Sequence, residues 1–116
     1  MAGRVVLIED EANIAEAIRF LLSREGWQVD VHADGSSALS VIKAAEPDLV
    51  ILDLMLPGKS GMEIIREIRE VEEFSHLPVL MLTARGQLKD REMAERAGVT
   101  RFMTKPFSNT EVLTAV

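Results

Sequence analysis

The sequence predicts an α/β domain built on a five-stranded parallel sheet with helices on both faces. Short apolar, β-branched runs alternate five times with amphipathic segments of helical period. Such alternation produces right-handed strand–helix–strand crossovers, which build parallel sheets covered on both sides. Most of the predicted strands are apolar without interruption, as expected of strands that are buried on two faces. A chain of 116 residues has the length of one domain.

The first predicted strand covers residues 4–8 and stops at an acidic tripeptide. A helix follows, with apolar residues at helical spacing from residue 14 to residue 22. Asn13 and Glu16 are its expected capping pair, and a glycine after residue 25 is its expected end. Residues 27–32 alternate apolar with polar side chains, which predicts an edge strand with one solvent-facing side.

The middle of the chain carries a helix, a strand and a second helix. Residues 38–45 have helical spacing and are followed by Pro47, which disfavours further helix. The run Leu-Val-Ile-Leu-Asp at 49–53 predicts the third strand. Ser60 and Glu63 form a capping-box pattern that opens the third helix, whose apolar stripe consists of three isoleucines.

The last third of the chain completes the alternation. Residues 79–83 predict the fourth strand, and residues 87–97 predict a helix that is charged almost all round and therefore thinly anchored. Residues 102–103 mark a short fifth strand. Ser108 and Glu111 then open a fifth helix.

Composition narrows the function classes. The net charge of −6 and the isoelectric point near 4.9 argue against direct nucleic-acid binding by this domain. The chain has no cysteine, which excludes disulfides and thiolate metal sites and fits a reducing cytoplasm. No apolar run approaches the roughly 20 residues of a membrane span. We therefore expect a cytoplasmic domain that does not contact membranes.

Polar residues stand where the predicted strands end. Glu9 and Asp10 follow the first strand, Asp53 ends the third, Thr83 ends the fourth and Lys105 follows the fifth. Ligands of such sheets bind at the carboxyl ends of the strands. Each residue alone has an ordinary explanation as a turn, cap or surface residue, but all of them fall on the same edge.

Three carboxylates at one edge repel each other unless a cation binds between them. Oxygen ligands that are few and partly open to water suit Mg²⁺, which shares its coordination shell with phosphate. Such an arrangement would leave Asp53 available as a nucleophile, with Lys105 and Thr83 available to phosphoryl oxygens. The residues therefore suit the formation of an aspartyl phosphate.

Four segments carry a resemblance to a known family, in the family's order and spacing: "LIEDE", "LVILDLMLPGKSG", "VLMLTARG" and "RFMTKPF". The chain resembles the response-regulator receiver domain, the phosphoacceptor module of two-component signalling, over its whole length. The resemblance implies a flavodoxin-like (CheY-like) fold with sheet order 2-1-3-4-5. It further implies a regulator rather than an enzyme, one that catalyses its own phosphorylation and dephosphorylation.

The resemblance also assigns roles to residues. Asp53 would be the phosphorylation site, with Lys105 contacting the phosphoryl group. Asp10, Asp53 and the Met55 backbone carbonyl would bind Mg²⁺, and Glu9 would act largely through water. Thr83 and Phe102 would be the switch pair. The Lys105–Pro106 peptide bond would be cis, which proline alone makes inexpensive.

The expected partners are a sensor histidine kinase or a phosphotransfer protein, and an output domain beyond residue 116 or a separate effector. "DLMLPGKSG" and "MLTARG" are most similar to the receivers of winged-helix transcription regulators, so a DNA-binding output is one option. Residues 1–116 would form the receiver, with a truncated last helix. Arg101 and Ala115 stand where those relatives place a charged pair, and we expect a monomer or a weak dimer. Glu9 replaces the family's commoner aspartate.

The sequence favours the receiver over three other functions, of which the degenerate receiver and the FMN carrier stay open as alternatives. An FMN-binding electron carrier shares the architecture, but it needs a hydroxyl- and glycine-rich phosphate loop where this chain is acidic. A phosphohydrolase of the haloacid-dehalogenase type needs a second aspartate where Met55 stands. A degenerate receiver that acts only as an interaction module would not require the acidic, threonine and lysine residues to be intact.

Overall fold

The computed structural model describes residues 3–84, 88–105 and 112–113 of the chain. The strands are β1 (Arg4–Ile8), β2 (Gln28–His32), β3 (Leu49–Asp53), β4 (Val79–Ala84) and β5 (Arg101–Lys105). The helices are α1 (Ala12–Arg24), α2 (Ala38–Ala45), α3 (Gly61–Glu70) and α4 (Leu88–Ala97), with 3₁₀ turns at Gly35–Ser37 and Glu72–Phe74. Val112 and Leu113 are helical, and the predicted cap at Ser108 and Glu111 lies outside the described residues.

The five strands form one parallel sheet in the order β2-β1-β3-β4-β5. This confirms the predicted fold class and the strand order implied by the family resemblance. In the register of the sheet, Ile8 pairs with both His32 and Leu52, and Asp53 pairs with Leu82. The ends of β1, β3 and β4 therefore lie side by side.

Both faces of the sheet are buried, as the uninterrupted apolar strands predicted. Alternate strand residues such as Val5 and Ile51 pack with α1 and with Val112 on one face. Their neighbours, such as Val6 and Leu52, pack with α2 and α3 on the other face. All five residues of β3 are buried. The strand ends are thereby held between two apolar layers.

The start of α1 differs from the expectation. The helix begins at Ala12 with Glu11 as N-cap and without a side-chain cap, so the predicted capping pair of Asn13 and Glu16 is wrong. The Glu11 backbone N–H donates to the Glu9 carboxylate at 3.0 Å, and the Ala15 N–H donates to the Glu11 carbonyl at 3.0 Å. The side chain that accepts at the helix start thus comes from the acidic cluster itself.

Strand β2 is an edge strand as predicted, but its boundary and its solvent-facing pattern differ. The strand begins at Gln28, one residue later than Trp27. Val31 is exposed, whereas Val29 is half-buried and packs near α1. The strict alternation of a buried and a wet face is therefore wrong in this strand, which pairs with β1 alone.

Helix α3 is held at both ends. At its start the Ser60 hydroxyl accepts from the Glu63 backbone N–H at 3.3 Å, which confirms the predicted cap. Near its end the Arg69 guanidinium donates to the carbonyl oxygens of Phe74 (2.9 Å), Leu77 (2.7 Å) and Gly98 (3.0 and 2.7 Å). Partial burial lowers the pKa of Arg69, whose guanidinium nevertheless stays charged.

Helix α4 buries little of its surface among the side chains that are described. Met93, Glu92, Glu95 and Arg96 are exposed, and Ala97 is half-buried against the core. This agrees with the thin apolar seam expected from the sequence. In the described ranges, no helix is both long and apolar enough to cross a membrane.

Candidate functional site

Three carboxylates meet where β1 and β3 end. Each of Glu9, Asp10 and Asp53 places one oxygen within 4.8 Å of an oxygen of the other two. Glu9 is 1% exposed and Asp53 is 3% exposed, whereas Asp10 is exposed to solvent. The cluster is thus buried on the side of the sheet and open at Asp10. The sequence predicted that these residues would come together, and the structure confirms their proximity.

Backbone groups hold two of these carboxylates in place. The Glu9 carboxylate accepts from the Glu11 N–H at 3.0 Å, and the Glu9 N–H donates to the His32 carbonyl at 2.9 Å. An oxygen of Asp53 accepts from the Met55 N–H at 3.3 Å. Each bond gives a buried carboxylate oxygen a partner in place of water, so it offsets part of the cost of burial.

The cluster has the donor set and the size of a divalent metal site. Its ligand atoms are hard carboxylate oxygens, which suit Mg²⁺ and Ca²⁺ rather than softer metals. Opposite ligands of an octahedral Mg²⁺ lie about 4.2 Å apart, since each metal–oxygen bond is about 2.1 Å. Oxygens within 4.8 Å of one another therefore need only small movements, or one bridging water, to share an ion.

The loop between β3 and α3 is packed tightly against the end of β3. The Leu54 N–H donates to the Leu82 carbonyl at 2.9 Å, and the Gly61 N–H donates to the Leu54 carbonyl at 2.8 Å. A β-carbon on Gly61 would lie 2.5 Å from the Asp53 carbonyl oxygen, so α3 can start there only with glycine. Met55 lies in this loop and is 72% exposed, and its backbone N–H reaches Asp53.

The loop after β2 lies beside the loop after β3. The Gly35 N–H donates to the Pro57 carbonyl at 3.0 Å. One oxygen of Asp34 accepts from both the hydroxyl and the N–H of Ser36, at 2.7 Å each. These two bonds hold the pKa of Asp34 below its usual value, and the bond from the Ser36 hydroxyl makes the larger contribution. Sequence patterns gave no sign of this contact, apart from the presence of glycines in both loops.

The remaining predicted site residues lie on β4 and β5. Thr83 pairs with Thr104 near the ends of these strands, and Lys105 pairs with Ala84. The side chains of Thr83 and Lys105 lie outside the described part of the chain, as does Pro106 with the predicted cis bond. Phe102 lies within β5 and is half-buried against the core on the α2 and α3 face. The backbone positions of Thr83 and Lys105 are thus on the same sheet edge as the carboxylates.

Solved structures of known proteins match the whole fold. The chemotaxis response regulator CheY4 of Vibrio cholerae matches with a TM-score of 0.92 and 26% identity, over 98% of this chain and 95% of that one. A putative response regulator from Chloroflexus aurantiacus matches with a TM-score of 0.93 and 30% identity, over 98% and 93%. NtrX from Brucella abortus matches with a TM-score of 0.89 and 31% identity, over 98% of this chain but only 26% of that longer one.

The family comparison agrees with the structural one. A model of the response regulator receiver domain matches residues 5–116, which is nearly the whole chain. The matched range includes the acidic cluster and all five strands except Arg4, the first residue of β1. An electron carrier or a haloacid-dehalogenase-type hydrolase is therefore not favoured. The chain belongs to the response regulator receiver domain family, as a receiver of a two-component system.

Proposed function

We propose that this receiver accepts a phosphoryl group on Asp53 in a reaction that requires Mg²⁺. The proposal is carried by the meeting of three carboxylate oxygens, all within 4.8 Å, at the carboxyl edge of a parallel sheet. Asp10, Asp53 and the backbone carbonyl of Met55 would hold the metal, with Glu9 acting largely through water. The regulator catalyses its own phosphorylation and dephosphorylation and turns over no other substrate.

The reaction is a direct displacement at phosphorus. A carboxylate oxygen of Asp53 forms a bond to the phosphorus of a phosphohistidine, and the bond from phosphorus to the imidazole nitrogen breaks. The electron pair of that bond stays on the imidazole, which leaves. Bound Mg²⁺ would supply neutralisation of the phosphoryl oxygens. Lys105 would add a second positive charge at the phosphoryl group, and Thr83 would add a hydroxyl donor.

The signal would pass from the site to the face formed by α4, β5 and the predicted fifth helix. In this proposal the Thr83 hydroxyl moves toward the phosphoryl oxygens and Phe102 enters the space that it leaves, a discrete change in packing of the kind that switches use. The half-buried position of Phe102 against the core supports such a role, because a partly buried ring can be packed in two ways.

The proposed partners are those typical of the receiver family. A sensor histidine kinase or a phosphotransfer protein in the cytoplasm would donate the phosphoryl group. Residues 1–116 would form the receiver, and the output would be a further domain of a longer chain or a separate effector. The match of the chain to 26% of the longer NtrX supports the first arrangement. The net charge of −6 argues against nucleic-acid binding by the receiver itself, so any such binding would belong to the output.

Phosphorylation by a small donor tests the proposal directly. The protein is incubated with acetyl phosphate with Mg²⁺ or with EDTA, and intact-mass analysis counts the phosphoryl groups. We expect one acid-stable, base-labile adduct that depends on Mg²⁺ and is absent from Asp53→Asn. Asp48→Asn is the matched control, because Asp48 is an exposed aspartate that precedes the same strand at the opposite edge. An equal adduct on Asp53→Asn, or none on the unmodified protein, would show that the chain is not a phosphoacceptor at this site.

A further inference from the structure

Two loops are in backbone contact beside the acidic cluster. The loop after β2 contains the 3₁₀ turn Gly35–Ser37, and the loop after β3 runs through residues 54–60. The Gly35 N–H donates to the Pro57 carbonyl at 3.0 Å. A β-carbon on Gly58 would lie 2.7 Å from an oxygen of Asp34 and 3.1 Å from the β-carbon of Ser36. Each loop therefore presents a glycine to the other.

Gly35 is needed for the closeness of this contact and not for its backbone torsion. A β-carbon there would overlap the Lys59 carbonyl oxygen and would lie 3.1 Å from the δ-carbon of Ile64. The φ angle of Gly35 is not in the left-handed region, which Gly58 alone occupies in these two loops (φ 83°). Any other residue at position 35 could keep its backbone conformation, but the Lys59 carbonyl would have to retreat by on the order of 1 Å.

The loop that would be pushed is the one that carries Met55. This loop is fixed at its start, where the Leu54 N–H donates to Leu82, and at its end, where the Gly61 N–H donates to the Leu54 carbonyl. Between those two points, among the described residues, the hydrogen bond from the Gly35 N–H to the Pro57 carbonyl connects this loop to the backbone of the loop after β2. The Met55 N–H in turn donates to Asp53 at 3.3 Å. A displacement at Lys59 would therefore act within the same loop, two residues from the Pro57 carbonyl that the Gly35 N–H binds and four residues from Met55.

We propose that Gly35 is a positioning residue of the acidic site: its missing side chain lets the two loops touch and so sets the Met55 backbone beside Asp53. The proposal rests on the proposed function, in which the Met55 carbonyl is a Mg²⁺ ligand. Mg²⁺ requires near-ideal octahedral geometry with short bonds. The Lys59 carbonyl would retreat by about 1 Å, and a displacement of the Met55 carbonyl by only a fraction of that distance would weaken Mg²⁺ binding strongly. All the carboxylates of the site would still be present.

The test compares Gly35→Ala with Gly3→Ala in two measurements. A β-carbon on Gly3 would overlap the Asp48 carboxylate at the opposite edge of the sheet, so this control adds the same methyl group far from the site. Mg²⁺ titration calorimetry at constant ionic strength gives the Kd, and hydrogen exchange in EDTA gives the protection of the Met55 amide. For Gly35→Ala we expect the Kd to rise at least tenfold and the Met55 amide to exchange at least tenfold faster. For Gly3→Ala we expect both to stay within twofold of the unmodified protein.

A second variant approaches the contact from the other loop. Gly58→Ala places a methyl group against Asp34 and should change both measurements in the same direction as Gly35→Ala. If Gly35→Ala does not fold, as judged by circular dichroism, Gly58→Ala takes its place, although its methyl group also strains the left-handed backbone of position 58 (φ 83°). A Kd and a Met55 exchange rate within twofold of the unmodified protein, in whichever variant folds, would overturn the proposal.

The two measurements also separate this inference from the proposed function. If the unmodified protein binds no Mg²⁺ at millimolar concentration, the proposed function fails. The exchange of the Met55 amide in EDTA then still decides whether Gly35 sets the backbone beside Asp53, because that readout needs no metal.

Discussion

Removal of the Asp10 carboxylate should stabilise the metal-free domain. Asp10→Asn keeps the shape of the side chain and removes its charge from a cluster in which Glu9 and Asp53 are almost fully buried. Asp10 is the exposed member, so its replacement leaves the buried hydrogen bonds of the cluster in place. The stabilisation should arise from relief of repulsion between like charges.

The size of the effect follows from the spacing of the oxygens. Two unit charges 4.8 Å apart repel by about 0.9 kcal/mol in water and by about 3.5 kcal/mol at an effective dielectric constant near 20. The lower figure suits the exposed Asp10, and its two neighbours together give about 2 kcal/mol. For a domain of this length that corresponds to a rise of roughly 5–10 °C in Tm.

Thermal unfolding in EDTA and in Mg²⁺ measures both consequences. In EDTA the Tm of Asp10→Asn should exceed that of the unmodified protein. Mg²⁺ at ten times its Kd should stabilise the unmodified protein by about 1.4 kcal/mol and the variant by less. Asp30→Asn is the control, because Asp30 forms an ion pair with Arg4 at 3.6 Å and its loss should not raise Tm. A lower Tm for Asp10→Asn than for the unmodified protein in EDTA would mean that the cluster is structural.

Four further outcomes are expected. Arg69→Met should lower the free energy of unfolding, measured in urea, by about 2–4 kcal/mol, because it leaves several carbonyl oxygens without their donor. Arg66→Met, on the exposed side of the same helix, is the control and should change that free energy by less than about 0.5 kcal/mol. Because its folded pKa is lowered, Asp34 should stabilise the fold at neutral pH. The advantage over Asp34→Asn should be complete above the ordinary aspartate pKa of about 3.9 and should be lost as the pH falls from there through the lower pKa of the folded state. Urea unfolding at several pH values will show a constant difference if this is wrong. Beryllofluoride should change hydrogen exchange within residues 88–105, and unchanged protection there argues against the switch. Sedimentation velocity should find the beryllofluoride-treated protein largely monomeric at micromolar concentration, since the exposed Arg101 is basic where the resemblance to winged-helix receivers implies an acidic residue; a tight activated dimer contradicts this.

The sheet and the acidic cluster could be predicted because local patterns determine both. Uninterrupted apolar runs such as β3 predict strands buried on two faces, and the alternation with helices predicts their parallel arrangement. Once the strands are parallel, residues that follow them must meet at one edge, as Glu9 and Asp53 do. The positions of these carboxylates therefore depend on the parallel topology alone, and the alternation of strands and helices in the sequence predicts that topology.

The features that could not be predicted depend on contacts between distant segments. Arg69 binds a carbonyl 29 positions along the chain, and nothing in the residues around it distinguishes it from Arg66. The approach of Gly35 to Lys59 depends on how two loops pass each other. The N-terminus of α1 deviated because Glu9 accepts from the Glu11 N–H, a bond that a capping pattern does not anticipate.

The hydrogen bonds from Arg69 to the Gly98 carbonyl anchor the C-terminal end of α4, so a tilt of this helix would pivot about that end. Gly98 directly follows the helix, and the far end at Leu88 is about 15 Å away at 1.5 Å per residue. A tilt of about 10° around this point moves Leu88 by roughly 2.6 Å and leaves Ala97 almost where it was. Under the proposed switch, a partner that contacts the start of α4 would therefore meet a larger displacement than a partner that contacts its end.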